Sequence, residues 1–345
     1  MKFTFLSAVV AAALISGGSA GADAAENFYH DKTIRMLTAG GGSSYDAYAR
    51  LVARHLPDHL EGGTTIIVQG MPGATIKVPL YLKNVVPNDS TVIGALNNAV
   101  AFAPLLGVPQ ADFDPTKFNW LGSPSTEVGL LVVWHEVPVN SIEDATKREV
   151  LLGVGSGGSS AAFFGRLLNT VFGTKLKLLS GYSGITSIYL AMERGEVEGV
   201  PAALWSDLQL TRPDWTTQKT QVKFLLQYGR NPIPELPDVP VAINLIKNDE
   251  DRRLFEVAMA PLEMGRPFTM APEAAPEHVK LIRTAIMATF VDAAFVADAK
   301  KQRLDVDAVP KTGDDLLNIV TNVYIAPKSV RDRLAALFQA DGVNR

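Results

Sequence analysis

Apolar positions along this chain fall into short runs separated by longer stretches in which they recur at helical spacing. Thr33 to Leu37 predicts a strand, and beyond the turn Ala39 to Ser44 the positions Tyr45, Tyr48, Ala49, Val52 and Leu56 share one helical face. Thr64 to Val68 predicts the next strand. The Pro-Gly turn Met71 to Ala74 then leads into a helix over Ile76 to Val85, and Thr91 to Leu96 predicts a third strand. Strands alternating with helices imply α/β architecture with a mainly parallel sheet, because parallel neighbours need crossover connections.

The same order recurs further on. Val150 to Val154 predicts a strand, Gly155 to Ser160 a turn, Ala161 to Phe172 a helix, Leu176 to Leu179 a strand, Gly181 to Gly184 a turn and Ile185 to Arg194 a helix. Two similar lobes follow, each a mainly parallel sheet flanked by helices. Thr126 to Val133 is the expected crossing into the second lobe and Lys223 to Tyr228 the crossing back. Lobe 1 would comprise 25–125 and 229–345, with helices near Asp249 to Ala260 and Pro276 to Ala299, and lobe 2 would comprise 126–228.

Four Gly- and Ser-rich turns join strands to helices, and chemistry is expected there. Ligands of open α/β sheets sit beyond the carboxyl ends of the strands, where helix N-termini present unsatisfied N–H groups and favour anions. Glycine lets the backbone approach a ligand, and short hydroxyls add donors. The expected ligand-binding residues are Gly41, Gly42, Ser43, Ser44, Tyr45 and Asp46 at the first turn, and Gly73, Ala74 and Thr75 at the second. Asn97 follows the third strand. Ser156, Gly157, Ser159 and Ser160 lie at the third turn, Tyr182, Ser183 and Gly184 at the fourth, with Trp205 beyond. No Lys or Arg occurs within the turns, so anion binding would rest on dipoles and hydrogen bonds. Ser43 to Asp46 also matches a capping box, in which Asp46 only closes its helix.

The N-terminus changes the setting. Met1-Lys2, an apolar run from Phe3 to Ile15 and small residues ending in Ala22-Asp23-Ala24 read as a signal peptide over 1–24. No later stretch is long and uncharged enough to span a bilayer, so a freely soluble periplasmic protein is expected. The chain has no cysteine, which excludes a lipid-anchoring thiol and a disulfide framework. Its 32 Lys and Arg against 36 Asp and Glu give no basic surface of the kind nucleic acid requires.

Enzyme signatures do not hold together. Gly153, Gly155 and Gly158 spell a dinucleotide-binding pattern, but no Asp or Glu between Glu149 and Glu193 could hold a ribose. No phosphate-binding loop or nucleophile elbow occurs. His55 and His59 are four apart with Pro57 between them and no third ligand, which points to a solvent-exposed helix end. Neither a cofactor nor a catalytic residue is expected, and no metal site.

Several motifs, in order, resemble the Bug receptors, the binding components of tripartite tricarboxylate transporters. Lys32 to Leu37, Gly40 to Gly42 and Asp46 to Arg50 resemble that family's opening. Met71-Pro72-Gly73-Ala74 is similar to its Arg-Pro-Gly-Ala turn, and Val86-Pro87-Asn88-Asp89 to its Ala-Pro-Asp-Gly. Gly155 to Ser160 is similar to its second-lobe turn, Gly181 to Gly184 to its Tyr-x-Gly turn, Gly195 to Glu198 to its Gly-x-Val-Asp, and Leu236 to Pro240 to its Leu-Pro-Asp-Val-Pro. The resemblance implies the two-lobed periplasmic binding protein fold, closing like a Venus flytrap on a small carboxylate and delivering it, as a monomer, to membrane permease subunits. Two departures are Ala161 and Ala162, where the family often has His, and Glu198, where it usually has Asp. The alanines imply a wider, more neutral cleft and a bulkier or partly apolar carboxylate. A sensor partnering a receptor kinase, and more remotely a periplasmic enzyme, are the alternatives.

Overall fold

The computed structural model describes residues 28–39, 44–60, 62–71, 76–155, 159–229 and 232–339. The expected signal peptide lies outside the described residues, as do Gly41, Gly42, Ser43, Gly73, Ala74, Thr75, Ser156 and Gly157. Among the described residues no helix is long and apolar enough to cross a membrane.

Two sheets carry the fold. The first is built from β1 (Thr33–Thr38), β2 (Thr65–Gly70), β3 (Val92–Ala95), β4 (Asn119–Ser123), β10 (Phe268–Met270) and β11 (Lys311–Thr312), in the order β11-β4-β10-β3-β1-β2. The second contains β5 (Gly129–Trp134), β6 (Val150–Val154), β7 (Leu176–Ser180), β8 (Gly199–Leu204) and β9 (Val222–Tyr228), in the order β7-β6-β8-β5-β9. Each sheet has a parallel trio, β2-β1-β3 and β7-β6-β8, flanked by one antiparallel strand beside the trio's third member, β10 and β5 respectively. The recurrence expected from the sequence is this trio, and the antiparallel additions make both sheets mixed.

The longer helices are α1 (Ser44–His55), α2 (Lys77–Asn84), α3 (Ser160–Phe172), α4 (Ile185–Glu193), α5 (Trp205–Thr211), α6 (Asp249–Ala258), α7 (Ala260–Met264), α8 (Pro276–Val291), α9 (Ala293–Lys301), α10 (Gly313–Tyr324) and α11 (Lys328–Gln339). α1 buries Tyr48, Ala49, Leu51 and Val52 on the first sheet, with Asp46 in its first turn and Arg54 and His55 in its last, a charge order that suits the helix dipole. α3 ends where Gly173 adopts φ +68°, a left-handed cap open to alanine only at some conformational cost. The single helix expected over 276–299 is two. Asp292 is extended, and its carboxylate accepts from the amides of Ala294 at 2.7 Å and Phe295 at 3.2 Å, so it starts α9 where α8 stops.

Helices cover both faces of each sheet. On one face of the first sheet Ile34 and Met36 meet Tyr48, Val52, Ile282, Phe290 and Phe295; on the other, Leu37 and Val92 meet Leu82, Phe102, Leu316 and Val320. Each such buried side chain contributes about 1.5 to 3 kcal/mol. The chain after 229 divides between the sheets. β10 and β11 join the first, but Leu254, Phe255, Met259, Val330 and Leu334 pack with Leu131, Leu152 and Leu226 on the second. α6, assigned to lobe 1 from the sequence, therefore lies on the second sheet, and β9 is an edge strand of that sheet and not a crossing. The return passage is 262–268, which runs beside the outward passage 123–129: Glu127 N–H donates to Leu262 C=O at 2.8 Å, and Arg266 N–H to Ser123 Oγ at 2.8 Å.

Candidate functional site

Where the two sheets face each other lies a cavity of about 250 Å³. Five segments reach it, four of them with polar side chains and α4 with Ile185. Tyr45 comes from the first turn of α1, Asn97 and Asn98 from the segment after β3, Ser160 and Ile185 from the first residues of α3 and α4, and Asp207 from α5. Burial holds the Tyr45 phenol well above its usual range, so it stays protonated. Asn97 Oδ1 accepts from Ala99 N–H at 2.9 Å, which fixes the turn behind it. At α3, Ser159 Oγ accepts from Ala162 N–H at 3.2 Å. At α4, Ser187 Oγ accepts from the Gly184 amide at 3.3 Å and donates to its carbonyl at 2.7 Å.

Behind this wall sits a buried ionic cluster between the two passages. Arg266 and Glu127 have side chains only 1% and 3% exposed, and their Nη2 and Oε1 atoms are 2.6 Å apart. The same guanidinium donates to Ser44 Oγ at 3.1 Å and to Ser206 Oγ at 2.6 Å, and its carbon lies 4.2 Å from the Tyr45 ring centre. Ser44 Oγ in turn donates to Asp207 Oδ1 at 2.7 Å. Ser44 begins a helix of the first sheet, and Ser206 and Asp207 belong to a helix leaving β8 of the second, so these bonds tie the two sheets together across the cavity's floor. Each bond to a charged group of this kind contributes about 1.5 to 3 kcal/mol when formed.

Burial pushes the Glu127 carboxyl up to about 7, with Arg266 opposing and Asp207 reinforcing the shift. The folded chain thus holds this proton more tightly than the unfolded one. The stabilisation from protonation is complete below about pH 4.5 and is lost as pH rises through about 7. Over that interval Glu127 is expected to remove about 3 kcal/mol from the unfolding free energy. Denaturant titrations of the parent and of Glu127→Gln across pH 4.5 to 8 check this, since the glutamine variant should lack that slope.

The structure places the expected ligand residues in several different settings. Tyr45, Asn97 and Ser160 line the cavity, and Ser44 stands behind it in the Arg266 cluster. Ser183 and Gly184 are exposed and Tyr182 half-buried beside α4, whose first residue, Ile185, lines the cavity; Ser159 caps α3. Trp205 is buried in the far face of the second sheet with Leu130 and Val200, its ring 6.3 Å from that of Phe224. Asp46 is buried and its carboxylate is taken by Thr38 Oγ1 and Arg50 Nε, each at 3.0 Å, so it anchors α1 to the end of β1. Ala162 is wholly buried, and neither it nor Ala161 lines the cavity.

Other residues singled out in the sequence have structural partners. Glu198 accepts from Arg148 Nη2 at 2.6 Å and Leu151 N–H at 2.9 Å, fastening the start of β8 to β6. His55 is not a solvent-exposed helix end: its Nε2 lies 3.0 Å from Asp298, and its ring meets Phe295 edge-on. His59 is 3.7 Å from Asp292. Among the described residues no His, Cys, Asp and Glu group could hold a metal. Gly153, part of the dinucleotide-like pattern, is small because Ile188 packs against it.

Arg266, Glu127, Asp207 and Asn98 were not expected at the site. They come from segments remote in sequence, and the one available signal was an arginine inside the apolar run Met264 to Phe268. The turns do lack cations, but Arg266 reaches Ser44 from the return passage before β10.

The two-lobed fold is shared with solved TctC and Bug proteins. The chain is similar to a TctC solute-binding protein from Polaromonas, with a TM-score of 0.65, 15% identity and coverage of 89% of this chain and 98% of that one. The periplasmic binding protein BugD matches at 0.61 and 18%, over 89% and 97% of the two chains. An R. palustris protein solved with adipate matches at 0.63 and 17%, over 88% and 97%. In sequence the chain is similar to a UPF0065 protein of Bordetella bronchiseptica, 30% identical over 152 residues. That match spans 42% of this chain and 44% of the relative. No family model matches. The resemblance to Bug receptors read from the motifs thus recurs in the fold, and the Polaromonas and BugD neighbours are solute-binding and periplasmic binding proteins.

Proposed function

We propose that this chain is an extracytoplasmic solute-binding protein of the Bug type, exported to the periplasm, that captures a small organic carboxylate between its two lobes for uptake by a tripartite tricarboxylate transporter. The observation that carries the reading is the cavity between the sheets. The first turns of α1, α3 and α4 reach it, and Tyr45, a protonated phenol, is part of its lining. Helix N-termini and a phenol supply donors that an anion accepts together. The R. palustris neighbour bound to adipate is in keeping with a carboxylate.

The mechanism is capture without turnover. Ser44, Ser206, Asp207 and Arg266 bridge the two sides, so separation of the lobes breaks their bonds and closure over a solute remakes them. A solute shifts that balance only by binding the closed form more tightly. The two lobes pivot about the paired passages at 123–129 and 262–268, and the closed monomer is the form that permease subunits recognise.

Isothermal titration with mono- and dicarboxylates and their amides tests the reading. Losing one charge-assisted hydrogen bond costs about 1.5 to 3 kcal/mol, so an amide should bind about ten- to hundredfold more weakly than its acid. An amide binding as tightly as its acid would sink the carboxylate assignment.

A further inference from the structure

The walls of the cavity restrict what its occupant can be. Phe102 and Leu105 from the first side, Phe163 from α3, Pro261 from α7, and Leu334 and Phe338 from α11 form one continuous apolar lining. Among the described lining residues Asp207 alone carries a charge, and none is Lys, Arg or His. Two buried arginines stand nearby and neither lines the space: Arg266 is turned to Glu127, Ser44 and Ser206, and Arg166 to the carbonyls of Leu337 and Phe338. Polar groups gather at Tyr45, Asn97, Asn98, Ser160 and Asp207, while the chamber between α3, α7 and α11 offers carbon.

We propose that the solute is a monocarboxylate with an apolar body, its acid group held at the Tyr45 and Ser160 end and its hydrocarbon portion seated among Phe102, Leu105, Phe163 and Phe338. The proposal rests on the carboxylate-binding reading above and narrows it. A second carboxylate on the same molecule would enter an apolar wall whose described side chains offer no donor. An ionised group stripped of water without a partner is strongly disfavoured. Hydrocarbon gains where the diacid loses, because it leaves water for an apolar-lined space. Size sets the scale: an apolar cavity of about 150 Å³ accepts a benzene ring, so one of about 250 Å³ accepts a body of about six to ten carbons.

The departure at Ala161 and Ala162 has no part in this. The apolar character comes from α7, α11 and the segment after β3. α11 is held in place by Arg166, which donates to the carbonyls of Leu337 and Phe338 and so fixes the Phe338 ring over α3.

Titration calorimetry on the full mature chain with hexanoate, adipate, 3-phenylpropanoate and hexanamide decides the matter. Hexanoate and adipate share a six-carbon chain and differ at one end, a methyl against a carboxylate. Hexanoate and 3-phenylpropanoate are expected to bind at least about a hundredfold more tightly than adipate. Leu105→Arg, which places a cation at the chamber's rim, should narrow or reverse that ratio. Adipate binding as tightly as hexanoate in the parent would overturn this proposal while leaving the carboxylate reading intact, and that comparison needs no variant. Hexanamide matching hexanoate, or no acid binding at all, would overturn the carboxylate reading and this proposal with it.

Discussion

Replacing Arg266 with methionine is expected to cost about 3 to 5 kcal/mol of unfolding free energy at pH 8, and less at pH 5. The larger figure follows from leaving Glu127 as a buried carboxylate with no cation, a break that is strongly destabilising in a pair this enclosed. At pH 5 Glu127 is already protonated, because its carboxyl is pushed up to about 7, so the loss there is confined to the bonds with Ser44 and Ser206 and the packing on Tyr45. Chemical denaturation at the two pH values measures both numbers. An equal cost at pH 5 and pH 8 would show that Glu127 does not change charge between them, contrary to a carboxyl pushed up to about 7.

Gly265→Ala is expected to destabilise the chain by more than about 3 kcal/mol and to disrupt the pairing of the two passages. Gly265 has φ +58° and ψ −101°, and a methyl group there would lie inside the van der Waals envelope of the Ser125 carbonyl oxygen. Neither neighbour can give way easily. Ser125 is itself completely buried, and its carbonyl accepts from Ser123 Oγ at 2.8 Å. Gly173→Ala is the matching control: that glycine also has positive φ, but open space surrounds it, so the cost should be only about 1 to 2 kcal/mol. Thermal unfolding of the two variants side by side separates the clash from the backbone term. Similar losses in both would mean that the tight approach at 265 does not hold the passages together.

The parts of the fold readable from sequence were those with strong local signals. β6 and the helix after it have a continuous apolar run, a Gly/Ser turn and a helical repeat, and α3 occupies Ser160–Phe172 where Ala161 to Phe172 was expected. Short strands at the middle of a sheet gave no such signal. β10 is three residues long and pairs on both sides with strands far away in sequence, so its identity depends on partners and not on its own pattern. The same limit explains α6. Its apolar face, Leu254, Phe255 and Ala258, announces that it packs on something, but not that it packs on the second sheet.

At the site, residues near a helix start were legible, and those behind them were not. Tyr45 and Ser160 follow from strand-to-helix turns, which place a first helical turn beyond a strand's carboxyl end. Trp205 begins a helix in the same way, yet its side chain points into the core because α5 leaves β8 with its apolar face against Leu130 and Val200. The Arg266 cluster joins four segments separated by more than fifty residues each, a convergence that only the packed chain displays. Ala161 and Ala162 illustrate the reverse error. A sequence position matched to a family's ligand residue need not face the same space once the helix is packed.

The central claim is that the chain holds one small carboxylate between its sheets and lets it go unchanged. Native mass spectrometry of the mature protein, equilibrated with 3-phenylpropanoate and then unfolded, tests it most directly. A single adduct per chain is expected before unfolding, with recovery of that acid at its original mass afterwards. An altered mass on release, or an adduct that forms equally well with the neutral amide, would contradict it.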